Sequence, residues 1–363
     1  MTTFFEQPAE TKRLLLSFAI PTYNFGGFIS ETVQSIIDGA AELGPDDFEI
    51  VILDGGSRDD TDKVVAELGT RYRNLHYQKN AARGGIDRDM NEVAGLAAGE
   101  YIWLFSADDL LVPGWDKVVA PLLRTGKDLY LVPAELCDFN MGHLRNNPIF
   151  KDCEDDLPVE FNFGSIGVID AYLKRANTLA ALFSFMSAVV VKRSVWHGLK
   201  ERPDYYGSCW AHCARLIPLL FQNTSIIYAN RFLIRKRGGN DTFMENGFVA
   251  RIGVAVDGWG RIIQEFFSDP AQRFALFQAL RKDMPILLFL YAKISARNKS
   301  EIKRLDGMAR SLYLDWSPPP EAGRQYLLYR LMPASPILSR WLKPFLPILI
   351  RIRHKIRAIF SSR

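Results

Sequence analysis

Two adjacent carboxylates follow an apolar segment near the middle of the N-terminal half. Ser106-Ala107-Asp108-Asp109 comes directly after the apolar run 101–105. If that run is a buried strand, the carboxylates lie at the carboxyl edge of a sheet, where ligands bind in doubly wound folds. Carboxylate oxygens are hard ligands suited to Mg²⁺ or Mn²⁺ bridging the phosphates of a nucleotide. Taken alone, the pair could instead open a turn that caps a helix at Pro113-Gly114-Trp115.

Two earlier apolar runs also end in loops that could bind a nucleotide. Pro21-Thr22-Tyr23-Asn24 follows the first run, and Tyr23 offers a flat face on which a base can stack. The segment 54–61 follows the second run; its glycines permit close backbone approach, and Asp54 can accept a hydrogen bond from a base N–H. Each loop is weak evidence alone. The three together, at successive strand ends, predict a nucleotide-sugar site.

The elements that position these loops alternate along the chain. Apolar runs and helical periodicity predict strands at 14–20, 48–53, 75–77, 101–105 and 129–133, and helices at 28–40, 61–68 and 87–98. This alternation indicates an α/β fold with a parallel sheet. Residues 135–167 read as an inserted loop, a lid facing the acceptor. Helices at 171–182 and 209–221 and strands at 186–192, 225–229 and 232–236 follow, and everything after residue 240 reads as helix.

The loop motifs resemble those of family 2 glycosyltransferases with the GT-A fold. The first-strand motif of that family corresponds to 19–24, its second motif to 54–61, and its Asp-x-Asp motif to Ser106-Ala107-Asp108. The resemblance implies a Rossmann-like, mostly parallel sheet with helices on both faces. It also implies that Pro21, Thr22, Tyr23 and Asp54 bind the donor, Asp54 holding a pyrimidine, and that Asp108 binds Mg²⁺ or Mn²⁺. Ser106 stands where the family has its first Asp.

Further segments are similar to O-antigen transferases of the abequosyltransferase type. These segments are 84–91, 187–192, 206–212 and 237–243. The resemblance places Asp87 and Arg88 at the donor, with Arg88 on the diphosphate, because a guanidinium forks onto phosphate oxygens. It implies that Arg237 closes over the leaving diphosphate. The alternatives are a solvent salt bridge opening a helix at Asp87-Arg88, and a solvated basic face around Arg237.

The sequence offers two candidates for the catalytic base. Most members of the family place a carboxylate at the start of the helix where this chain has His212. A near-neutral pKa would suit His212 to remove a proton from a sugar hydroxyl. His212 could instead be a core histidine packed against Trp210, and Asp204 is then the alternative base.

Composition and charge limit the partners and the location. The net charge of +4 over 363 residues is too small to indicate nucleic-acid binding, and four cysteines show no disulfide framework, as expected in a reducing cytosol. Residues 336–363 hold seven Lys or Arg and no acidic residue, interleaved with bulky apolar side chains. We expect this tail to bind an anionic membrane surface at the inner face of the cell membrane. It could also pack on its own domain or on a partner subunit.

The sequence therefore predicts three regions and one activity. Residues 1–245 form the GT-A domain, with a nucleotide-sugar half at 14–135 and an acceptor half at 136–245. Residues 246–335 form a helical extension, followed by the tail 336–363. The predicted protein is a metal-dependent glycosyltransferase that moves a sugar, in the resembling subgroup a dideoxyhexose, from a nucleotide diphosphate-sugar to a lipid-linked saccharide of O-antigen or another surface polysaccharide. The alternative is a catalytically impaired nucleotide-sugar-binding scaffold at the membrane, which Ser106 and the missing carboxylate base would explain.

Overall fold

The computed structural model describes residues 14–151, 156–165, 167–240, 247–316 and 319–331. These residues form two compact units. The first contains the described residues up to Ile169 together with Ala180–Gly239, and the second contains Asp170–Leu179 and the described residues from Asn240 onward. The tail 336–363, and residues 241–243 of one motif, lie outside the described residues.

The first unit begins with alternating strands and helices. In chain order these are β1 (Leu16–Thr22), α1 (Gly26–Ile37), β2 (Phe48–Asp54), α2 (Thr61–Arg71), β3 (Leu75–Lys79), α3 (Ile86–Leu96) and β4 (Tyr101–Leu104). Every residue of β1, β2 and β4 is buried, as expected for parallel strands covered on both faces. The predicted order of elements is confirmed in this region. Some helix ends differ from their predictions: α1 ends at Ile37 rather than at 40, and α2 continues through Gly69 to Arg71.

The remaining elements of this half of the chain are shorter. They are β5 (Leu110–Leu111), α4 (Asp116–Leu123), β6 (Leu129–Leu131), β7 (Ala134–Cys137), β8 (His143–Asn147), β9 (Val159–Asn162), α5 (Val168–Arg175), β10 (Val189–Lys192), α6 (Arg193–Gly198), α7 (Ala211–Leu216), β11 (Ser225–Tyr228) and β12 (Ile234–Lys236). The expectation of a structureless loop at 135–167 was wrong, because β7, β8 and β9 lie there. The helices expected at 171–182 and 209–221 are shorter α-helices followed by 3₁₀ turns.

The strands form two sheets. The eight-stranded sheet has the order β3-β2-β1-β4-β10-β6-β11-β9, in which β10 and β9 run antiparallel to their neighbours and the other pairs are parallel. A four-stranded sheet has the order β5-β12-β7-β8. The predicted α/β class with a mostly parallel sheet is thus confirmed.

An aromatic cluster fixes the centre of the larger sheet. The ring of Phe18 stacks on Trp103 with centroids 5.1 Å apart and meets Trp115 edge-on at 5.2 Å. Both indole N–H groups have acceptors: Trp103 donates to the Ser187 carbonyl at 2.7 Å and Trp115 to the Ile36 carbonyl at 3.0 Å. Buried aromatic area with satisfied donors holds β1, β4 and α4 in one arrangement, from which the loops at the sheet edge project.

The second unit is helical. It contains α8 (Phe248–Phe266), α9 (Pro270–Asp283), α10 (Ile286–Ser295), α11 (Lys299–Arg310), a π-helical turn (Ser311–Asp315) and α12 (Pro320–Leu331). Asp269 caps α9 by accepting hydrogen bonds from the amides of Ala271 and Gln272, with Pro270 in the first turn. The predicted C-terminal helical region is confirmed. Among the residues that the structure describes, no helix has the length and apolar character needed to cross a membrane.

Candidate active site

Three loops meet at one edge of the eight-stranded sheet. Thr22 and Asp54 are register partners at the ends of β1 and β2, and β4 pairs with the other side of β1. The backbone continues past β4 with the Phe105 amide still bonded to the Ala19 carbonyl at 3.0 Å, and the 106–109 segment follows. The three loops singled out in the sequence therefore leave neighbouring strands of one sheet.

The first two loops are tied to each other by hydrogen bonds. The Asn24 amide donates to Ser57 Oγ at 2.7 Å, and Asn24 Oδ1 accepts from the Arg58 amide at 2.8 Å. Asn24 has φ of 58°, a left-handed conformation that Asn tolerates better than most residues. A Cβ on Gly26 would stand 2.9 Å from the Thr61 amide, so only glycine allows this approach.

Asp54 lies buried at the centre of this arrangement. Its Oδ1 accepts from the Ser57 amide and its Oδ2 from the Tyr77 hydroxyl, both at 2.7 Å. Burial and the Asp54 hydrogen bond raise the pKa of Tyr77, which keeps the phenol protonated as a donor. A carboxylate has about four acceptor positions, so Asp54 keeps capacity for a ligand N–H. Beside it, the half-buried ring of Tyr23 carries the Arg83 guanidinium carbon 4.1 Å from its centre.

The two carboxylates after β4 have different surroundings. Asp109 is buried: its Oδ2 accepts from Ser187 Oγ at 2.7 Å and its Oδ1 from the Arg237 amide at 3.1 Å. Burial and the neighbouring Asp108 raise the pKa of Asp109. Asp108 Oδ1 accepts from the Ser106 hydroxyl. Asp109 thus anchors two other segments to the sheet edge, whereas Asp108 and Ser106 place hard oxygens together.

Those oxygens fit Mg²⁺ or Mn²⁺ in donor type. Within the described ranges, no group of three or more His, Cys, Asp or Glu side chains could hold a metal. Mg²⁺ is commonly held by one or two carboxylates together with substrate phosphates and water, so a single protein carboxylate is sufficient when a diphosphate is bound. Asp108 and the Ser106 hydroxyl would be the protein ligands.

Arg237 braces the acidic segment. Its buried guanidinium donates to the Asp108 carbonyl at 3.1 Å, to the Phe139 carbonyl at 2.7 Å and to Glu31 Oε2 at 2.6 Å. It also lies 5.0 Å from the centre of the Phe28 ring. These contacts position the backbone of Asp108. Closure of Arg237 over a diphosphate remains a prediction, which requires it to exchange these partners.

Asp87 and Arg88, adjacent at the start of α3, point to different partners. The Asp87 carboxylate accepts hydrogen bonds from the amides of Gly207, Cys209 and Ala211, at 2.8, 2.9 and 3.0 Å. Asp87 therefore holds the loop before α7 against α3. Arg88 is exposed, with its guanidinium carbon 6.0 Å from the centre of the Tyr206 ring. Their predicted contacts with the donor remain predictions.

His212 lies in the first turn of α7, buried. Its Nε2 is 3.0 Å from the Phe183 carbonyl oxygen, and its Nδ1 has no hydrogen-bond partner. Burial lowers its pKa from 6.5 to about 4. The near-neutral pKa expected from the sequence was wrong, because burial beside a carbonyl gives imidazolium no charge partner. The alternative base, Asp204, receives both arms of the Arg202 guanidinium at 2.9 and 2.8 Å, and its side chain is 47% exposed.

The sequence analysis missed one carboxylate at this edge. Asp89 of α3 is 3% exposed, and its Oδ1 has no hydrogen-bond partner. The signal was present in the sequence, since Asp89 precedes Val93 by four residues and so falls on the apolar stripe that Val93 shares with Met90. A charged residue on the buried face of a helix is rare without a reason.

Comparison with known proteins shows which family and which relatives the chain is similar to. Residues 17–171 match the model of glycosyl transferase family 2. The abequosyltransferase RfbV of Salmonella typhimurium is 26% identical over 80% of this chain and 87% of its own length. The GalNAc(5)-diNAcBac-PP-undecaprenol beta-1,3-glucosyltransferase of Campylobacter jejuni is 24% identical over 53% of this chain and 56% of its own length.

The fold has solved counterparts as well. The crystal structure of S. aureus TarS 1-349 in complex with UDP-GlcNAc superposes with a TM-score of 0.56 at 15% identity, covering 86% of this chain and 83% of that one. The family and fold predicted from the sequence motifs are confirmed by the match over 17–171, the abequosyltransferase relative and this fold. Residues 17–171 thus match glycosyl transferase family 2, and the described part of the chain has the GT-A fold.

Proposed function

We propose that this glycosyltransferase moves a sugar from a nucleotide diphosphate-sugar to a lipid-linked saccharide. One observation carries the proposal: Asp54 ends β2 and Asp108 follows β4, and these two strands flank β1, so both carboxylates lie at a single sheet edge. A buried carboxylate for a base and hard oxygens for a diphosphate are the two recognition elements that such a donor requires.

The reaction follows from these residues. Tyr23 stacks the base, Asp54 accepts its N–H, and Arg88 reaches the phosphates from the exposed side of α3. Asp108, with the Ser106 hydroxyl, would hold Mg²⁺ or Mn²⁺, and the ion would neutralise charge on the departing diphosphate. The acceptor hydroxyl oxygen forms a bond to the anomeric carbon while the bond from that carbon to the diphosphate oxygen breaks. The acceptor proton passes to a base.

His212 and Asp204 are the two candidates for that base. The unpartnered Nδ1 of His212 offers a lone pair, but a pKa of about 4 makes it a weak proton acceptor. Asp204 is more exposed but is held by Arg202. Catalysis by His212 requires the developing charge of the reaction to raise its basicity, and catalysis by Asp204 requires release from Arg202. We propose His212, with Asp204 as the alternative.

Two relatives support the acceptor class. The Salmonella relative is named for transfer of abequose, a dideoxyhexose, and the Campylobacter relative for an undecaprenol-diphosphate-linked acceptor. We therefore propose a role in O-antigen or other surface polysaccharide synthesis, with a dideoxyhexose as donor sugar. Peripheral attachment to the inner face of the membrane is supported by the composition of the tail 336–363.

A donor screen tests the activity. The full chain is incubated with UDP-, GDP-, dTDP- and CDP-sugars, lipid-linked saccharide acceptors and Mn²⁺, and the acceptor mass is followed by mass spectrometry. We expect an added glycosyl residue from one donor, with none when Mn²⁺ is chelated or when Asp108→Ala replaces the wild type. The weak base at His212 and Ser106 in place of an Asp favour a second candidate, the non-catalytic scaffold. That protein would bind a donor without consuming it.

A further inference from the structure

Asp89 is a buried carboxylate beside the sheet edge proposed to bind the nucleotide. Its hydrogen-bonding capacity is not fully used within the described protein. Although the residue is 3% exposed, Oδ1 has no hydrogen-bond partner among the residues that the structure describes. Thr22 Oγ1, at the end of β1, is a second buried polar atom without a partner. Buried polar atoms normally have partners, so two such atoms at one edge indicate that a ligand supplies them.

Two glycines make room for this carboxylate. A Cβ on Gly55 would stand 2.5 Å from Asp89 Oδ2, and a Cβ on Gly84 would stand 2.5 Å from Asp89 Oδ1. Gly55 directly follows Asp54, and its amide donates to the Thr22 carbonyl at 2.8 Å. Asp89 is therefore packed against the loop that carries Asp54 and next to the end of β1.

The charge of Asp89 is unfavourable in its surroundings. The pKa of Asp89 is raised from 3.8 to about 6, chiefly by burial and also by Glu92 and Asp54, which the lowering effects of Arg83 and Arg88 only partly offset. A buried charge that costs stability in the free protein, at an edge proposed to bind a ligand, is a candidate for recognition.

The neighbouring ring shows which shape fits there. The Arg83 guanidinium lies over the Tyr23 ring at 4.1 Å, and the same guanidinium acts on the charge of Asp89. Arg83 is exposed and can be displaced. A flat group with N–H donors thus already occupies the face of Tyr23, and a nucleobase with an exocyclic amino group has the same two properties.

We propose that Asp89, beside Asp54, reads the donor nucleobase by accepting a hydrogen bond from an exocyclic amino group. This inference rests on the proposed function. Two adjacent carboxylates present only acceptors, and uracil offers them a single N–H between two carbonyl oxygens that a second carboxylate repels. Cytosine replaces one of those carbonyls with an amino group and has no hydrogen on the adjacent ring nitrogen, so its donors are the two amino N–H groups, one for Asp54 and one for Asp89. The site therefore favours an amino-bearing base over uracil.

CDP and UDP are the matched probes, because their bases differ in the group at one position, amino against carbonyl. Calorimetric titration of the full chain in Mn²⁺ buffer would compare the wild type with Asp89→Asn. We expect the wild type to bind CDP more tightly than UDP, and Asp89→Asn to weaken CDP binding about tenfold, the loss of one hydrogen bond to a charged group, with UDP binding unchanged or stronger. Glu92→Gln removes a charge that raises the pKa of Asp89 but keeps the Asp89 carboxylate, so at a pH well above 6, where Asp89 is ionised in both proteins, it should leave the CDP to UDP ratio unchanged.

Two further readouts separate recognition from a structural role. Asp89→Asn removes an unfavourable buried charge, so the melting temperature should rise near neutral pH, where Asp89 is ionised. CDP affinity of the wild type should fall as the pH drops through about 6, because the protonated carboxyl is a poorer acceptor. Equal losses for CDP and UDP with a lowered melting temperature would mean that Asp89 only supports the loop, and would overturn the proposal. Tight, equal binding of both nucleotides to the wild type would overturn the role of Asp89 alone, whereas failure to bind any nucleoside diphosphate would overturn the proposed function with it.

Discussion

Asp108 and Asp109 are adjacent in the chain, yet their surroundings assign them different work. Asp109 is bonded to Ser187 and to the Arg237 backbone, so its carboxylate stabilises the meeting of three segments. Asp108 Oδ1 accepts a hydrogen bond from the Ser106 hydroxyl. Sequence alone could place both at a strand end. It could not divide the roles, because Ser187 and Arg237 come from segments far along the chain.

Asp108→Ala should abolish transfer while leaving the fold intact, because the diphosphate-bound ion loses its protein carboxylate. The measurement is turnover in saturating Mn²⁺, with circular dichroism to check the fold. Ser106→Ala is the matched comparison: it removes the neutral hydroxyl ligand but keeps the Asp108 carboxylate, so it should cost less. Undiminished turnover by Asp108→Ala would exclude this residue as the metal ligand.

Asp54→Ala should raise the donor KM, because the lost hydrogen bond to a base costs roughly 1–3 kcal/mol. Steady-state kinetics with the donor found in the screen would measure it. Tyr77→Phe serves as the control: it removes the phenol partner of Asp54 but keeps the carboxylate. A rise in KM with kcat unchanged reports lost binding. If the KM of Asp54→Ala stays within about twofold of the wild type, Asp54 only shapes the 54–57 turn.

His212→Ala should lower kcat by a larger factor than it changes KM, because proton transfer takes place only in the transition state. General bases contribute about 10²–10⁴-fold, which sets the expected loss. Because burial holds the pKa of His212 at about 4, its imidazole is already neutral above that value, and kcat should show no break near 6.5. Asp204→Asn is the comparison: a large loss there, with little loss in His212→Ala, would assign the base to Asp204.

The lowered pKa of His212 also predicts how its contribution to stability depends on pH. An unfolded histidine takes up a proton below about 6.5, whereas the folded one resists protonation down to about 4. The contribution of neutral His212 is therefore fully present above 6.5 and is lost as the pH falls from 6.5 to 4. The sequence could not supply this, since the burial depends on packing against the Phe183 carbonyl, from a segment 29 residues away.

At the scale of elements, the Asp87 carboxylate of α3 holds the loop that leads into α7, and an Arg215–Asn91 hydrogen bond also joins the two helices. Asp87→Asn should lower the free energy of unfolding by roughly 1–3 kcal/mol, because an amide side chain cannot accept all three backbone hydrogen bonds. Urea denaturation would measure this, and hydrogen exchange should speed up at 207–211. Asp62→Asn, an exposed ion-pair partner in the first turn of α2, should have little effect. Unchanged hydrogen exchange at 207–211 would contradict the role of Asp87 in holding this loop.

The elements that sequence predicted well are those whose pattern is local. β1, β2 and β4 are continuous apolar runs because both faces are covered, and the helices between them show helical spacing. β8 has no such signal: four of its five residues are exposed, and it exists through pairing with β7 in the smaller sheet. Strand formation of that kind depends on a partner strand rather than on propensity, so 135–167 was misread as loop.

At the scale of the whole molecule, the residues assigned to the donor all belong to the first compact unit: Pro21, Thr22, Tyr23, Asp54, Asp87, Arg88 and Arg237. The cationic tail 336–363 follows the second unit in the chain, after α12 ends at Leu331. Donor binding and membrane attachment should therefore be separable by truncation. Seven cationic side chains without an acidic one, each contributing about 1 kcal/mol near an anionic surface, are enough for peripheral attachment when bulky apolar residues lie between them.

Truncation after Pro333 should release the protein from anionic liposomes while sparing donor binding, measured by co-sedimentation and by nucleotide titration. A full-length variant with every tail Lys and Arg changed to Gln keeps the apolar residues and isolates the charge contribution. Salt should weaken binding of the wild type without abolishing it, because screening acts on the charges and leaves the apolar contact. Equal sedimentation of full-length and truncated protein, on anionic and neutral liposomes alike, would mean that the tail packs against protein and that membrane attachment arises elsewhere.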